Sequence, residues 1–331
     1  MIEKYLVTGA AGHLGYAITR QLREQGKSVR VLLLPGESNI PDGDLEICYG
    51  DVRDVKSLEP FFAGLDGQKA ILIHCAGIVS IASRYMQNVY DVNVTGTKNI
   101  VDLCEKHKIA RLVHVSSVHA IPEKPQGEVI VETDDFNPDW VVGLYAKTKA
   151  EATAYVLAAA GRGLDVSVVH PSGICGPYDS GRGHLTTLVI DYCKRRLTAG
   201  IRGGYDFVDV RDVAAGVIAC CQKGKAKECY ILSNKYFTVK EILDTLHQVT
   251  GNKKIKTYLP AWFIKLTVPM AELYYRILRQ PPLYTAYSLH TLASNSLFSH
   301  AKAFAQWGYT TRDMRDTLAD TVKWLKEKGR L

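Results

Sequence analysis

A string of three glycines near the start of the chain constrains the fold more than any other feature. It spans residues 8–15, TGAAGHLG, and lies between a short apolar run and a helical pattern over residues 14–25. Gly9 allows a tight turn, Gly12 lets the backbone approach a pyrophosphate, and Gly15 permits close packing of helix on strand. The positive end of the helix would face the phosphates. In this strand–loop–helix context, the string predicts a dinucleotide-binding site.

Short β-branched runs alternate with longer helical patterns through the first half of the chain. This alternation is typical of a parallel, doubly wound sheet, so we expect an α/β fold of Rossmann type. The expected strands are residues 5–7, 29–34, 46–49, 70–74, 111–115 and 166–169, and the expected helices are residues 14–25, 85–107 and 140–160.

The alternation breaks after Pro171. Residues 207–210, a helix over 213–221 and residues 230–232 then indicate a return to the sheet, and the rest of the pattern is mostly helical. We therefore expect two units. Residues 1–172 and 205–232 form a dinucleotide-binding Rossmann domain, and residues 173–204 and 233–331 form a smaller, mostly helical substrate-binding lobe.

Charge and cysteine usage exclude several classes of protein. Net charge is +7, but the basic residues are scattered and form no stripe with interleaved aromatic residues, so we expect no nucleic-acid partner. The eight cysteines have no metal-ligand spacing, so we expect no metal site. Free thiols and the lack of a signal peptide indicate a reducing, cytoplasmic setting.

One apolar segment, residues 262–278, needs a separate interpretation. Lys265, Pro269, Glu272 and Arg276 interrupt it, which makes it too polar for a membrane span. We expect no stable membrane insertion and interpret the segment as an amphipathic helix pair that covers a pocket. A helix lying on a membrane surface is the alternative.

Tyr145 and Lys149 carry the spacing that most suggests chemistry. Four residues apart on an expected helix, they lie on one face. An ammonium beside a phenol favours the phenolate and lowers the tyrosine pKa from about 10. Such a phenol can protonate a carbonyl oxygen or deprotonate an alcohol. Because this spacing also arises by accident, it is the neighbouring motifs that favour an acid–base pair.

Polar and small residues follow the third and fourth expected strands. Asp51 could accept a hydrogen bond from an adenine amino group; a helix N-cap is the alternative, which Asp54 fits better. Ala76 and Gly77 would let a cofactor ribose pass close to the backbone, or they form a simple turn.

Two further polar residues are candidates for the site. Ser117 follows the fifth strand, where ligands bind in doubly wound sheets, and could hydrogen-bond a substrate carbonyl; its neighbour Ser116 fits a local backbone cap better. Asn93 lies in an expected helix interior, where asparagine is unfavourable. It could hold a proton-relaying water near Lys149, or it could be a structural residue that bends the helix.

Together these features resemble the extended short-chain dehydrogenase/reductase family, whose signatures include TGxxGxxG and YxxxK. Residues 203–213, GGYDFVDVRDV, resemble the GGxxFVDVRDVA segment of its dihydroflavonol-reductase and 3β-hydroxysteroid-dehydrogenase branch. Residues 170–177, HPSGICGP, resemble its RPxxxyGP segment, with His170 and Cys175 where arginine and tyrosine are usual. The resemblance extends to roughly residue 232.

The resemblance implies hydride transfer with a nicotinamide cofactor. Tyr145 would be the general acid or base, Lys149 would tune it and hold the nicotinamide ribose, and Ser117 would position the carbonyl oxygen. The implied catalytic set is Tyr145, Lys149, Ser117 and Asn93. The implied cofactor contacts are Gly9, Gly12, His13, Leu14, Gly15, Asp51, Val52, Ala76, Gly77, Tyr145, Lys149, Pro171 and Ser172.

The choice between NAD and NADP depends on the end of the second strand. An acid there would hold the adenosine 2′-hydroxyl, and an arginine would favour the 2′-phosphate. Leu34 stands where relatives often have arginine. Lacking a cation at that position, the chain favours NAD slightly over NADP.

Three functions remain open. The first is a ketone reductase or alcohol dehydrogenase for a bulky apolar steroid- or flavonoid-like substrate, supported by aromatic residues of the second lobe. The second is a nucleotide-sugar 4-epimerase with arginines as phosphate clamps, at Arg182, Arg195, Arg196 or Arg202. The third is a non-catalytic cofactor sensor, which would not need the Ser/Tyr/Lys set.

Two further expectations concern related activities and assembly. Val118 and His119 follow Ser117, where dehydratases of this family usually carry an Asp-Glu pair, which argues against dehydration. A homodimer through the helices over 85–107 and 140–160 is a family expectation.

Overall fold

The computed structural model describes residues 3–80, 84–181, 183–260 and 286–331. Within these ranges the strands are, in chain order, β1 (Glu3–Thr8), β2 (Ser28–Leu33), β3 (Glu46–Tyr49), β4 (Lys69–His74), β5 (Arg111–Val115), β6 (Val166–Pro171), β7 (Gly173–Cys175), β8 (Gly200–Ile201), β9 (Gly204–Asp209), β10 (Glu228–Leu232), β11 (Lys235–Thr238) and β12 (Tyr258–Leu259).

The α-helices of the same ranges are α1 (His13–Glu24), α2 (Val55–Phe62), α3 (Gln87–Tyr90), α4 (Gly96–Lys106), α5 (Leu144–Ala160), α6 (His184–Cys193), α7 (Val210–Lys223), α8 (Val239–Thr250), α9 (Ala286–Ala293), α10 (Ala301–Trp307) and α11 (Met314–Glu327). None of these described helices combines the length and apolarity needed to cross a membrane.

A seven-stranded sheet in the order β10-β6-β5-β4-β1-β2-β3 forms the centre of the molecule. Every neighbouring pair is parallel. This confirms the expected Rossmann-type α/β fold. The topology brings the carboxyl ends of the strands to one edge of the sheet, where the loops that follow β1, β4 and β5 meet.

Helices cover both faces of this sheet, which explains why its strands are continuous apolar runs. On β4, Leu72 points into a core shared with α2, α4 and α5, whereas Ile71 and Ile73 point into a core shared with α1 and α7. All three are at most 1% exposed. The strand is therefore buried on both faces.

A second, smaller sheet in the order β11-β9-β7 packs beside the central one. The expected return of residues 207–210 to the central sheet was wrong, because β9 pairs with β7 in parallel and with β11 antiparallel. Among the strands described after β6, β10 alone extends the central sheet, alongside β6. A third core, formed largely by α6, α8 and α11, adjoins the small sheet. The division into two units remains a prediction.

Two expected helices differ from the structure. The helix over 85–107 is α3 and α4 joined by a π-helical turn, Asp91–Thr95. The helix expected from residue 140 begins at Leu144, because Gly143 adopts a positive φ of 96° and a separate 3₁₀ turn ends at Trp140. The expected amphipathic pair over 262–278 lies outside the described residues, as do the side chains of most of the second-lobe aromatic residues.

Candidate active site

The glycine loop between β1 and α1 is shaped for close backbone approach. Gly9 has a φ of 67°, and a Cβ there would lie 2.7 Å from the backbone nitrogen of Ala76. A Cβ on Gly15 would overlap the carbonyl of Gly9. Gly12 is the N-cap of α1, and the described residues place no capping side chain and no acid at its first turn. The free N–H groups of this turn, from residues such as His13 and Leu14, are therefore suited to an anion.

A buried hydrogen-bond network fixes the loop to the next strand end. His74 Nδ1 lies 2.7 Å from Thr8 Oγ1, and His74 Nε2 lies 3.1 Å from Thr97 Oγ1. Because the Thr97 hydroxyl donates to the Asn93 carbonyl, it must accept from Nε2–H, so Thr8 donates to Nδ1. Thr8 Oγ1 in turn accepts the N–H of Ala76. The glycine loop, the end of β4 and the π-helical turn are thus held as one unit.

Asp51 and Val52 lie at the end of β3, as expected. The Asp51 carboxylate pairs with the Arg53 guanidinium at 2.5 Å, and these hydrogen bonds lower its pKa. Val52 is buried, and its carbonyl accepts a hydrogen bond from Asn99 Nδ2. Asp54, rather than Asp51, caps α2 by accepting the N–H of Lys56, as the sequence favoured. Asp51 is therefore not the cap of α2, both of its carboxylate oxygens accept hydrogen bonds from Arg53, and its contact with a nucleotide remains a prediction.

Gly77 is the point where the loop after β4 meets the expected catalytic residues. A Cβ at Gly77 would lie 3.3 Å from Asn93 Oδ1 and 3.4 Å from Lys149 Nζ. A side chain would fill that space, so the glycine leaves room for a ligand to pass between this loop and the lysine. This favours a cofactor passage over a simple turn at Ala76–Gly77.

Asn93 lies on the π-helical turn and is 1% exposed. Its Oδ1 accepts the N–H of Ile78 at 2.8 Å, and its Nδ2 donates to the Ile78 carbonyl and to Thr148 Oγ1. Both amide hydrogens are therefore committed to protein. These contacts support the structural role of Asn93, because it joins the turn to the loop after β4 and to α5. A water relay through the second lone pair of Oδ1 remains a prediction.

Ser117 and Tyr145 are brought together at the carboxyl end of β5. Both are buried, at 6% and 8% exposed. Ser117 Oγ accepts the N–H of His119 at 3.2 Å, which leaves its own hydrogen for the hydrogen bond with Tyr145. Burial raises the pKa of Tyr145 to about 12, against the lowering effect of Ser117. The phenol is therefore protonated at neutral pH and ready to act as an acid.

Lys149 is 5% exposed and lies one turn further along α5. Its ammonium donates to the carbonyl of Val115 at 2.9 Å, and burial lowers its pKa to about 8. In the chain alone, burial raises the pKa of Tyr145, and the expected tuning of the phenol by Lys149 stays a prediction. The two side chains are nevertheless placed at the same strand end.

A small cavity of about 20 Å³, lined by both apolar and polar side chains, lies next to this site. The His119 ring meets the Tyr145 ring edge-on at 5.9 Å and stacks on Tyr205, whose hydroxyl lies 3.0 Å from His119 Nε2. Burial lowers the pKa of His119 to about 4, so its ring is neutral. The described residues that line the cavity are Val118, His119, Ile121, Glu123, Ile130, Val141, Val142, Ala146, Tyr205, Ser294, Asn295 and Phe298.

Pro171 and Ser172 follow β6, but the Ser172 side chain is engaged within the protein. Its hydroxyl donates to the buried carboxylate of Asp206 at 2.5 Å, and its N–H donates to the Leu232 carbonyl. Burial raises the pKa of Asp206 to about 6. Ser172 therefore ties β6 to the small sheet, and its carbonyl is the polar group left for a cofactor.

The next residues form a cover segment, defined here as residues 176–180, against α1. His13 Nε2 donates to the Pro177 carbonyl at 2.9 Å, and Arg20 donates to the Tyr178 hydroxyl at 2.7 Å. Tyr178 has a φ of 78°, an unfavourable conformation for a tyrosine that these contacts stabilise. The His13 side chain thus joins the glycine loop to this segment.

Of the four arginines considered as phosphate clamps, the three that the structure describes are not gathered at the site. Arg195, Arg196 and Arg202 are exposed, and Arg196 faces Asp191 at 3.9 Å. Arg182 lies outside the described residues.

The roles of four residues at the site were not predicted: Tyr205, His170, Thr8 and His74. The sequence analysis identified His170 as a histidine in place of the usual arginine of its segment, but it predicted no role for this residue. The contacts of Tyr205 join residues 86 positions apart, which local patterns do not reveal.

The residues at this strand edge fit a nicotinamide dinucleotide. The loop offers free helix N–H groups for a pyrophosphate, the glycines leave the space that a Cβ would fill, and Lys149, Ser117 and Tyr145 supply polar groups beside it. When bound, such a cofactor would supply or accept a hydride.

Comparisons with known proteins agree with this site. The model of the NAD dependent epimerase/dehydratase family matches residues 5–233. Sterol demethylase protein B of Methylococcus capsulatus is 31% identical, over 98% of this chain and 98% of that protein. A putative dihydroflavonol 4-reductase of Synechocystis is 29% identical, over 99% of this chain and 96% of that protein. The crystal structure of gox2253 is 28% identical, with a TM-score of 0.83 over 99% of both chains.

The family match covers more than half of the chain, and the similarity to the sterol demethylase protein spans nearly all of both proteins. Both confirm the resemblance seen in the glycine loop and the Tyr145–Lys149 motif. The chain therefore belongs to the NAD-dependent epimerase/dehydratase family, as an enzyme of the extended short-chain dehydrogenase/reductase type.

Proposed function

We propose that this enzyme interconverts a ketone and a secondary alcohol on a bulky apolar substrate of hydroxysteroid or flavonoid type. The observation that carries the proposal is the group of apolar side chains next to Ser117 and Tyr145, where Val, Ile and Phe residues make up half of the described cavity lining. The names of two relatives, a sterol demethylase protein and a putative dihydroflavonol reductase, support the same substrate class.

In the proposed reaction each side chain has a separate role. Ser117, oriented by the N–H of His119, donates to the substrate oxygen. In the reductive direction, Tyr145 transfers its phenolic proton to that oxygen while hydride reaches the carbon. In the oxidative direction the phenolate takes the proton of the alcohol. Lys149 fixes the end of β5 through Val115 and supplies positive charge beside the phenol below about pH 8.

Charge in the cavity favours this proposal over nucleotide-sugar epimerisation. The described residues that line it include no lysine or arginine and one carboxylate, Glu123. A diphosphate would be repelled by that carboxylate and would find no guanidinium among the described lining residues. The epimerase alternative uses the same Ser/Tyr/Lys set, so substrate assays must separate the two.

A substrate panel tests the proposal. The purified protein would be assayed by NAD(P)H absorbance with dehydroepiandrosterone as a hydroxysteroid and dihydroquercetin as a flavanonol, and for epimerisation with UDP-glucose and UDP-galactose. We expect turnover of an apolar ring compound and none of the UDP-sugars. Activity on UDP-sugars alone would overturn the proposal.

We also propose that NAD is preferred over NADP. Leu34, at the end of β2, is 44% exposed and offers no cation for a 2′-phosphate. The Glu37 carboxylate accepts the N–H of Leu34 at 2.9 Å, so a negative charge lies at this position. Titration with NADH and NADPH should give tighter NADH binding, and Glu37→Gln should narrow the difference. Markedly tighter binding of NADPH by the unmodified enzyme would contradict the preference.

Two properties of the intact protein belong to the same proposal. All eight cysteines are free thiols, which supports a reducing, cytoplasmic setting. A homodimer through α4 and α5 is expected of the family, and light scattering on a sizing column would test it. A mass of one chain at micromolar concentration would contradict the dimer.

A further inference from the structure

His170 on β6 has an unusual position for a buried histidine. It is 0% exposed, and its Nδ1 lies 2.9 Å from the backbone carbonyl oxygen of Ser117. Because a carbonyl can only accept, Nδ1 must carry the hydrogen. Burial lowers the pKa of His170 to about 4, so at neutral pH the ring is uncharged and donates one hydrogen bond, through Nδ1.

The surroundings of His170 leave its ring one orientation. It stacks on Phe136 with centroids 5.3 Å apart and an interplanar angle of 8°. Its other nitrogen, Nε2, has no hydrogen-bond partner within the described ranges. A buried nitrogen without a partner costs free energy. The hydrogen bond to Ser117 is thus the polar contact that the buried ring provides.

Ser117 is consequently held from two sides. His170 fixes the orientation of its peptide group, and the N–H of His119 fixes its hydroxyl oxygen at 3.2 Å. The hydroxyl hydrogen is left for Tyr145 and the substrate oxygen. We propose that His170 is a positioning residue that holds the Ser117 hydroxyl in line with Tyr145 during the reaction. This inference rests on the proposed function of the same site.

Three variants test the kinetic consequence. His170→Asn retains an N–H donor close to the position of Nδ1, whereas His170→Leu removes it. His114→Leu is the matched control, because His114 is a buried histidine of the neighbouring strand whose ring nitrogens have no hydrogen-bond partner in the described residues. Each would be assayed for kcat and KM on the panel compound that is turned over, and for NADH affinity by fluorescence.

We expect His170→Leu to lower kcat about tenfold or more, because small displacements of reacting groups are costly. KM and NADH affinity should change by less than about twofold, and His170→Asn should restore most of the rate. The proposal is overturned if His170→Leu is no slower than His114→Leu, or if His170→Asn is as slow as His170→Leu.

A second measurement does not depend on any substrate. Nitrogen-15 NMR of histidine-labelled protein, assigned by comparison with His170→Asn, reports which ring nitrogen carries the hydrogen. We expect the Nδ1–H form of His170 at neutral pH, and the Nε2–H form would overturn the proposal. If the panel shows no turnover while this signal is as expected, the proposed function fails and the placement of His170 stands.

Discussion

Tyr145 is the residue on which the proposed chemistry depends. Replacement by Phe removes the hydroxyl and leaves the buried ring and its contact with His119 in place. We expect kcat to fall by roughly 10²–10⁴, the usual contribution of a positioned acid or base, with little change in NADH affinity. Steady-state kinetics and NADH fluorescence titration would measure both.

The matched control for this change is Tyr155→Phe on the same helix. Its hydroxyl donates to Asp102 at 2.6 Å, away from the site. Activity close to that of the unmodified enzyme is expected for Tyr155→Phe. A normal kcat in Tyr145→Phe would refute the assignment of the acid–base residue.

We expect Lys149 to be needed for turnover and, at the same time, to destabilise the folded state. Burial lowers its pKa from 10.5 to about 8, so the folded state disfavours the charged amine by about 3 kcal/mol at neutral pH. Lys149→Met should therefore abolish turnover and raise the free energy of unfolding by roughly 1–3 kcal/mol. The gain in stability is smaller than the about 3 kcal/mol that burial of the charge costs, because the Val115 carbonyl loses its hydrogen-bond donor.

The difference in unfolding free energy between Lys149→Met and the unmodified protein should become smaller as the pH rises. Between pH 8 and 10.5 the unfolded chain binds the lysine proton and the folded chain does not, so the stability of the unmodified protein rises relative to Lys149→Met. Urea unfolding at pH 7 and at pH 9.5 would measure the shrinking difference. Lys147→Met, on the same helix but 47% exposed, is the control and should change stability little. A destabilised Lys149→Met would contradict the burial argument.

At the scale of elements, the cover segment (residues 176–180) and the glycine loop are joined by Asn39. Its Nδ2 donates to the Ala11 carbonyl at 2.8 Å and to Ser180 Oγ at 3.0 Å. Because each hydrogen bond contributes about 1 kcal/mol, Asn39→Ala should loosen the loop and weaken NADH binding up to about tenfold. Ser38→Ala, at the exposed neighbouring position, is the control. Equal NADH dissociation constants for the two variants would show that Asn39 does not order the loop.

Sequence patterns predict the strands of the central sheet well because both of its faces are buried. The six strands expected between residues 5 and 169 all differ from the observed ones by two residues or fewer at either end, for example residues 70–74 against Lys69–His74. The π-helical turn at Asp91–Thr95 was missed because Asn93 is held by Ile78, a tertiary contact. The sheet of β9 was misassigned because an alternating strand pattern does not reveal its partner.

The residues of the candidate site also fall into two groups, those that local sequence patterns predict and those that depend on long-range contacts. Tyr145, Lys149, Ser117 and the glycine loop follow from local spacing and from the rule that strand ends meet at one edge. The positions of His170 and Tyr205 do not, because each acts on a catalytic turn more than 50 residues away in the chain. The raised pKa of Tyr145 also needed the structure, since it depends on burial by surrounding elements.

At the scale of the whole molecule, a charged cluster joins the end of β9 to the last helix. Asp209 is 1% exposed, caps α7 by accepting the N–H of Arg211, and pairs with the Arg211 guanidinium at 2.7 Å. Arg211 also pairs with Asp320 of α11 at 2.6 Å, and Arg312 pairs with Asp212 at 2.7 Å. The C-terminal helix is therefore fastened to the part of the chain that leads back into the central sheet.

Asp209→Asn should test how much this cluster contributes to stability. Removing the carboxylate leaves the partly buried Arg211 without its main partner, so we expect a loss of about 3 kcal/mol in unfolding free energy at pH 7. Burial alone would raise the pKa of Asp209. The hydrogen bonds from Arg211 outweigh this effect, so the pKa of the carboxyl is lowered from its usual 3.8. The contribution is thus present above about pH 4 and is lost as pH falls further.

Asp320→Asn, at a 46% exposed carboxylate, should cost less than about 1 kcal/mol. Urea unfolding of both variants would measure the difference, and equal losses would mean that Arg211 holds the last helix through Asp320 rather than through the buried pair.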